Sequence, residues 1–265
     1  MGAITSSTTS VRQAVKRGLP TPILGALLVL KNSRRLLPNR AVYETCVKGK
    51  RGLEIGGPSG IFKTTLPLYQ SARFIDGANF SANTVWEGPI TPGRTFAYFP
   101  RRVGMQFICE ATDLSKIGSQ AYDFVLSSNC LEHVANPLRA LVEWKRVIRP
   151  GGAMILVLPN KASNFDHERP FTSFEHLLED FARGTTEHDL THLDEILALH
   201  DLSMDPAAGS FATFRARSLD NFNNRTLHHH VFQPETMAKM LRHAGLTVAA
   251  TTETATDFFI LGTRP

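Results

Sequence analysis

Short apolar runs bounded by turn-forming residues recur along this chain at Gly52–Ile55, Ala72–Ile75, Gln106–Cys109, Phe124–Ser127 and Ala153–Leu158. Runs of that length predict buried strands. The first, fourth and fifth are nearly continuous in apolar residues, as expected of central parallel strands covered on both faces. Between the last two, Asn136 can cap a helix, Pro137 suits its first turn, and Leu138, Leu141, Val142 and Ile148 recur on one face. Pro150-Gly151-Gly152 then turns the chain into the fifth strand. Near the C-terminus a helix is predicted over Pro234–Ala244, closed by Gly245, followed by strands at Leu246–Ala250 and Phe258–Leu261. Their link is too short for a crossover helix, so these two strands should pair antiparallel. The pattern predicts an α/β fold: a doubly wound, seven-stranded, mostly parallel sheet with a C-terminal antiparallel hairpin.

One long interruption follows strand five. Residues 160–227 carry twelve acids against six Lys/Arg, and three helices are predicted near 173–183, 187–201 and 210–224. Insertions on an α/β scaffold commonly serve the site, so residues 161–227 are expected to form a helical substrate cap. The division expected is a basic N-terminal helical arm over 1–51 and a catalytic domain over 52–265.

Charge matters here through its distribution. Residues 1–51 hold ten Lys/Arg and one acid, which leaves 19 basic and 23 acidic residues for the rest of the chain. The basic excess therefore belongs to the arm, and no nucleic-acid partner is expected. The apolar stretch Thr21–Leu30, flanked by basic residues, reads as a helix packed on the domain. Peripheral contact with an anionic membrane and a targeting segment are the other readings. No run reaches the roughly 18–20 apolar residues of a membrane span. Cys46, Cys109 and Cys130 are widely spaced and odd in number, which fits a reducing, cytoplasmic setting.

The sharpest chemical signal is Leu53-Glu54-Ile55-Gly56-Gly57-Pro58-Ser59-Gly60, a strand entering a glycine-rich turn. Such a turn lets backbone approach a nucleotide-like ligand at the carboxyl edge of a sheet. No frame gives the G-x-G-x-x-G of dinucleotide enzymes, which disfavours a nicotinamide oxidoreductase. The stretch instead resembles the first motif of the class I S-adenosylmethionine-dependent methyltransferases, with Glu54, Gly56 and Gly60 matching and Pro58 departing at the middle glycine. Gly57 can supply the flexible position. The likeness continues through Asp76, Glu110-Ala111-Thr112-Asp113-Leu114, the run Tyr122–His133, and residues 141–152; it covers 52–160 and, more loosely, 228–262. It implies S-adenosyl-L-methionine as cofactor. It further implies Glu54 at the amino group, Asp76 on the ribose hydroxyls, Glu110 or Asp113 with neighbouring Ala111 at the adenine, and Ser128 at the fourth-strand edge.

Methyl transfer to a hydroxyl is helped by a general base, and histidine suits that task. His133, just beyond strand four, and His167, in Asp166-His167-x-Arg169 after strand five, are the two candidates. His228-His229-His230 reads as packing. His188 and His192, at helical spacing beside Asp189 and Asp194, could ligate a divalent metal, though a solvated helix face is the favoured reading. Asp166–Arg169, Ser173–Asp180 and Asp194–Asp201 are similar to a bacterial group associated with sugar or polysaccharide O-methylation. The resemblance thus implies O-methylation of a small-molecule or saccharide acceptor. N-methylation, a lipid-like acceptor and a non-catalytic binding module are the alternatives, and no oligomeric state is implied.

Overall fold

The computed structural model describes residues 36–265. The expected arm lies outside them up to residue 35. Its last part is helix α1 (Arg40–Val47), which buries Tyr43 and Val47. The strands are β1 (Arg51–Ile55), β2 (Phe74–Asn79), β3 (Asn83–Thr84), β4 (Gly88–Pro89), β5 (Gly93–Phe99), β6 (Arg102–Ile108), β7 (Tyr122–Ser128), β8 (Ile148–Pro159), β9 (Thr247–Glu253) and β10 (Asp257–Thr263). Among the described residues, eight of them form one sheet in the order β5-β6-β2-β1-β7-β8-β10-β9, and β3 pairs with β4. The core β6-β2-β1-β7-β8 is parallel; β10 runs antiparallel to both β8 and β9.

The sheet has eight strands where seven were expected. The addition is β5, an antiparallel edge strand whose pairing with β6 is twice interrupted. Its Phe96, Tyr98 and Phe99 are buried, but irregular register and the polar Arg94 and Thr95 erase any clean alternation. The second strand also lies further on than Ala72–Ile75. Asp76, Gly77 and Asn79 extend it because they are buried although polar or small. A Cβ at Gly77 would run into the Phe96 ring, so β5 itself needs that glycine.

Both faces of the sheet are covered. One carries α1 and the short α2 (Leu68–Ser71), with Tyr43, Phe62, Tyr69 and Tyr98 packed on Phe124, Ile155 and Phe259. The other carries α3 (Pro137–Val147), capped by the Asn136 side chain accepting from Arg139 N–H, with Trp144 fully buried. The insert follows β8 as α4 (Phe174–Arg183), α5 (Leu193–Leu199), α6 (Phe211–Leu219) and α7 (Asn221–Asn224). Ser173 caps α4 and Gly184, at φ 67°, ends it. The helix expected over 187–201 begins only at Leu193, and that over 210–224 breaks at Asp220. Ile196, Ala208, Phe214 and Leu227 give the insert a small core of its own. The last helix, α8 (Pro234–His243), packs beside α3 through Met237, Met240 and Leu241.

Candidate active site

Strand order reverses at β1, with β2 on one side and β7 on the other, and open α/β sheets bind ligands outside the carboxyl ends there. A cavity of about 840 Å³ lies at that edge, lined from below by strand ends and from above by the insert and the β3–β4 hairpin. Its floor includes Gly56, Pro58, Gly60, Asn79, Glu110, Ala111 and Ser128. Gly56 adopts φ 77°, and a Cβ there would meet Cys130 Sγ at 2.8 Å. Both facts restrict the position to glycine.

Glu54 is fully buried beneath this turn and does not line the cavity. Its Oε1 accepts from Ser59 N–H at 2.9 Å and its Oε2 from Tyr69 O–H at 2.6 Å. Burial raises its pKa, against the pull of Tyr69 and Ser59. A Cβ on Gly57 would overlap the Glu54 carboxylate, so Gly57 is the lid over this clamp. Asn79 Nδ2 donates to the Gly57 carbonyl at 3.0 Å and ties the turn to β2. Glu54 and Gly57 thus shape the turn from behind, and neither lines the cavity.

Asp76 does not line the cavity either. It sits three residues before the end of β2, and its oxygens accept from Met105 N–H at 2.7 Å and Tyr122 O–H at 2.8 Å. Asn79 and Phe80 occupy the cavity edge instead. Asp113 is exposed, accepts from Ser115 N–H, and lies on a separate shallow depression beside Arg139 and Glu143. Glu110 does reach the cavity, where Arg225 of the insert grips it with contacts of 2.9 and 3.3 Å.

The histidines regroup more than any other residue type. His133 lines the cavity and donates Nδ1–H to the Leu227 carbonyl at 3.1 Å. Burial and the neighbouring His228 hold its pKa well below the ordinary value. His167 does not line the cavity; half-buried, it pairs with Asp201 at 3.0 Å. The cavity receives His228 in its place, with its ring 4.6 Å from that of His133. Asp166 Oδ2 makes a short contact with His228 Nδ1, and Asp166 Oδ1 accepts from Arg169 at 3.0 Å. Arg169, 1% exposed, also donates to the His228 carbonyl at 2.8 Å. Burial lowers the His228 pKa, but the Asp166 carboxylate outweighs it and the net shift is upward. Asp166 and His228 stand 62 residues apart, so no local spacing could have announced the pair.

Glu132 was also missed. It lines the cavity, both of its carboxylate oxygens lack hydrogen-bond partners among the described residues, and burial pushes its pKa up to about 7. A buried unpartnered carboxyl facing a cavity marks a place where a ligand completes the hydrogen bonding. His188 and His192 do not act together: His188 stacks on Phe222 at 3.9 Å, and His192 precedes α5 and faces His176.

A cavity of this size, floored by a glycine turn and walled by Glu110 and Ser128, suits an adenosyl cofactor. With the closing antiparallel hairpin, it defines the class: an S-adenosylmethionine-dependent methyltransferase. The methyltransferase domain family model matches residues 29–251, and the chain belongs to that family. It is 28% identical over 87 residues to a ubiquinone biosynthesis O-methyltransferase of Parvibaculum lavamentivorans. It is 23% identical over 154 residues to one of Photobacterium profundum. These matches span 33% and 58% of this chain, and 33% and 62% of the respective relatives. An S-adenosylmethionine-dependent methyltransferase from Mesorhizobium loti shares the fold, with a TM-score of 0.51 and 13% identity over 86% of this chain and 96% of that one.

Proposed function

We propose that the chain O-methylates a polar, hydroxyl-bearing acceptor such as a sugar, with His228 as general base and residues 161–227 as the substrate cap. The observation that carries this reading is the buried Asp166–His228 pair at the insert side of the cavity. Gly56, Pro58, Gly60, Asn79, Glu110, Ala111 and Ser128 would hold the cofactor. When bound, S-adenosylmethionine supplies a methyl group already activated on a sulfonium. The protein's task is then to position the acceptor in line and to remove its proton. With Nδ1 committed to Asp166, His228 has Nε2 free to accept the hydroxyl proton as the oxygen–carbon bond forms. Asp166 fixes that tautomer and stabilises the imidazolium, as the carboxylate of a catalytic triad does. Arg169 in turn fixes Asp166. Glu132 and His133, at the same wall, supply polar contacts for acceptor hydroxyls.

A second reading keeps the chemistry and changes the acceptor. Val85 and Trp86 line the cavity while 60% and 53% exposed, an apolar rim that suits the aromatic ring of a phenol; the two similar proteins are named for ubiquinone biosynthesis. Release of S-adenosylhomocysteine with a panel of sugars and a panel of phenols separates the two. Turnover on sugars alone, abolished by His228→Gln, supports the first reading. Turnover on phenols alone replaces it, and undiminished turnover by His228→Gln removes the base.

A further inference from the structure

Outside the cavity, four metal-ligating side chains converge where the insert meets the scaffold. His176 and Asp180 stand one turn apart on α4, His192 lies just before α5, and His230 lies on the segment leading to α8. One ring nitrogen from each histidine and one Asp180 oxygen all fall within 4.8 Å of one another. His176 Nε2 is 2.9 Å from His192 Nε2 and 3.0 Å from Asp180 Oδ2; His230 Nε2 is 3.9 Å from that same oxygen. Around zinc at ordinary bond lengths, tetrahedral ligand atoms sit about 3.3 Å apart. None of the four residues lines the cofactor cavity.

Hydrogen bonding alone leaves this cluster incomplete. Asp180 and His230 are 2% and 1% exposed, yet among the described residues His230 Nδ1 has no hydrogen-bond partner and Asp180 Oδ2 has only the His176 nitrogen beside it, at 3.0 Å and without hydrogen-bond geometry. A neutral imidazole nitrogen carries at most one proton, so His176 Nε2 cannot serve both of its close neighbours. Buried atoms left in this state are what a cation would satisfy.

We propose that His176, Asp180, His192 and His230 form a site for one divalent transition cation, zinc by its ligand set. Three imidazoles and one carboxylate match zinc's preferences, and four protein ligands close the tetrahedron, so the site is structural. It pins two parts of the insert to the strand-edge segment 228–231, which also carries His228. Backbone contacts extend the anchor: His230 Nε2–H donates to the Ala135 carbonyl at 3.2 Å, which leaves its unpartnered Nδ1 to the cation, and Asn136 Nδ2 donates to the Asp180 carbonyl. The proposal is independent of the acceptor and of the identity of the base.

The test uses the full chain. Protein grown with zinc and desalted is expected to contain one equivalent by mass spectrometry, and the stripped protein to take one equivalent back on titration with zinc chloride. Cobalt reconstitution should give the intense visible bands of a tetrahedral centre. His176→Ala and His192→Ala, at positions only half-buried, should lose the equivalent while still binding S-adenosylhomocysteine. His188→Ala, whose ring stacks on Phe222, should keep it. Chelation should lower the melting temperature of the wild type and leave that of His192→Ala unchanged. Folded wild-type protein that neither retains nor takes up zinc overturns the proposal. So does zinc retained by His192→Ala and lost from His133→Ala, which would place the ion with Glu132, His133 and His228.

Discussion

Asp166 and His228 show how a residue's surroundings decide its role. Burial pushes the Asp166 carboxyl up, but His228 and Arg169 beside it win and bring its pKa down to about 2. A carboxylate with a depressed folded-state pKa contributes stability that is present above its unfolded value and lost as pH falls through the folded one. For Asp166 the window runs from roughly pH 4 down to 2, and the contribution is on the order of 2 kcal/mol. Denaturant unfolding across this range should show that acid loss in the wild type and a smaller one in Asp166→Asn. Equal acid dependence in both proteins would count against an ionised Asp166 held by His228 and Arg169. For turnover, His228→Ala should cost about 10²–10⁴-fold, the usual worth of a general base, while His167→Ala, at a residue that does not line the cavity, should stay within a few-fold. Rate measurements with one identified acceptor decide between them.

At the scale of elements, the turn after β1 and the strand beside it separate two acids that looked alike in sequence. Glu54 was legible as a motif acid, since it ends a buried strand before glycines, but the direction of its side chain depends on Tyr69, fifteen residues on. The apolar run stops at Ile75, which puts Asp76 at its end, whereas buried Gly77 and Asn79 carry the strand three residues further. The central strands, α3 and the closing hairpin were legible because their apolar periodicity is local. The edge strand β5, the true start of α5 and the Asp166–His228 pair were not, since each depends on contacts distant in the chain. Glu54→Gln should therefore weaken S-adenosylhomocysteine binding and cost about 1–3 kcal/mol through the unmade buried hydrogen bonds. Asp76→Asn should cost a similar amount of stability and leave that affinity unchanged. Calorimetry paired with thermal melts reads both; an affinity loss in Asp76→Asn would return that residue to the ligand.

At the scale of the whole molecule, the cavity is a seam between the scaffold and the inserted residues. Arg225 crosses it, pairing Glu110 after β6 with Glu187 of the insert at 2.9 and 3.0 Å while lying over Phe80 and Phe222. Losing one member of a largely buried charge cluster is expected to be costly, on the order of 3 kcal/mol. Burial already holds the Glu187 pKa near 7, with Arg225 pulling it down, and removing the guanidinium leaves that carboxyl without its main partner. Arg225→Met should accordingly loosen the insert more than the sheet. In hydrogen exchange, amides of α6 and α7 should lose protection while those of β1 and β7 keep it. Ligand binding should act in the opposite sense, because a molecule filling the seam touches both sides. At a concentration 100 times its dissociation constant, S-adenosylhomocysteine should stabilise the wild type by about 2.7 kcal/mol. For a chain of this size that is a rise of roughly 5–10 °C in melting temperature. In Arg225→Met the rise should shrink, since part of the binding energy must first order the insert. An undiminished rise, with exchange in α6 and α7 unchanged, would show that the insert holds its place without Arg225.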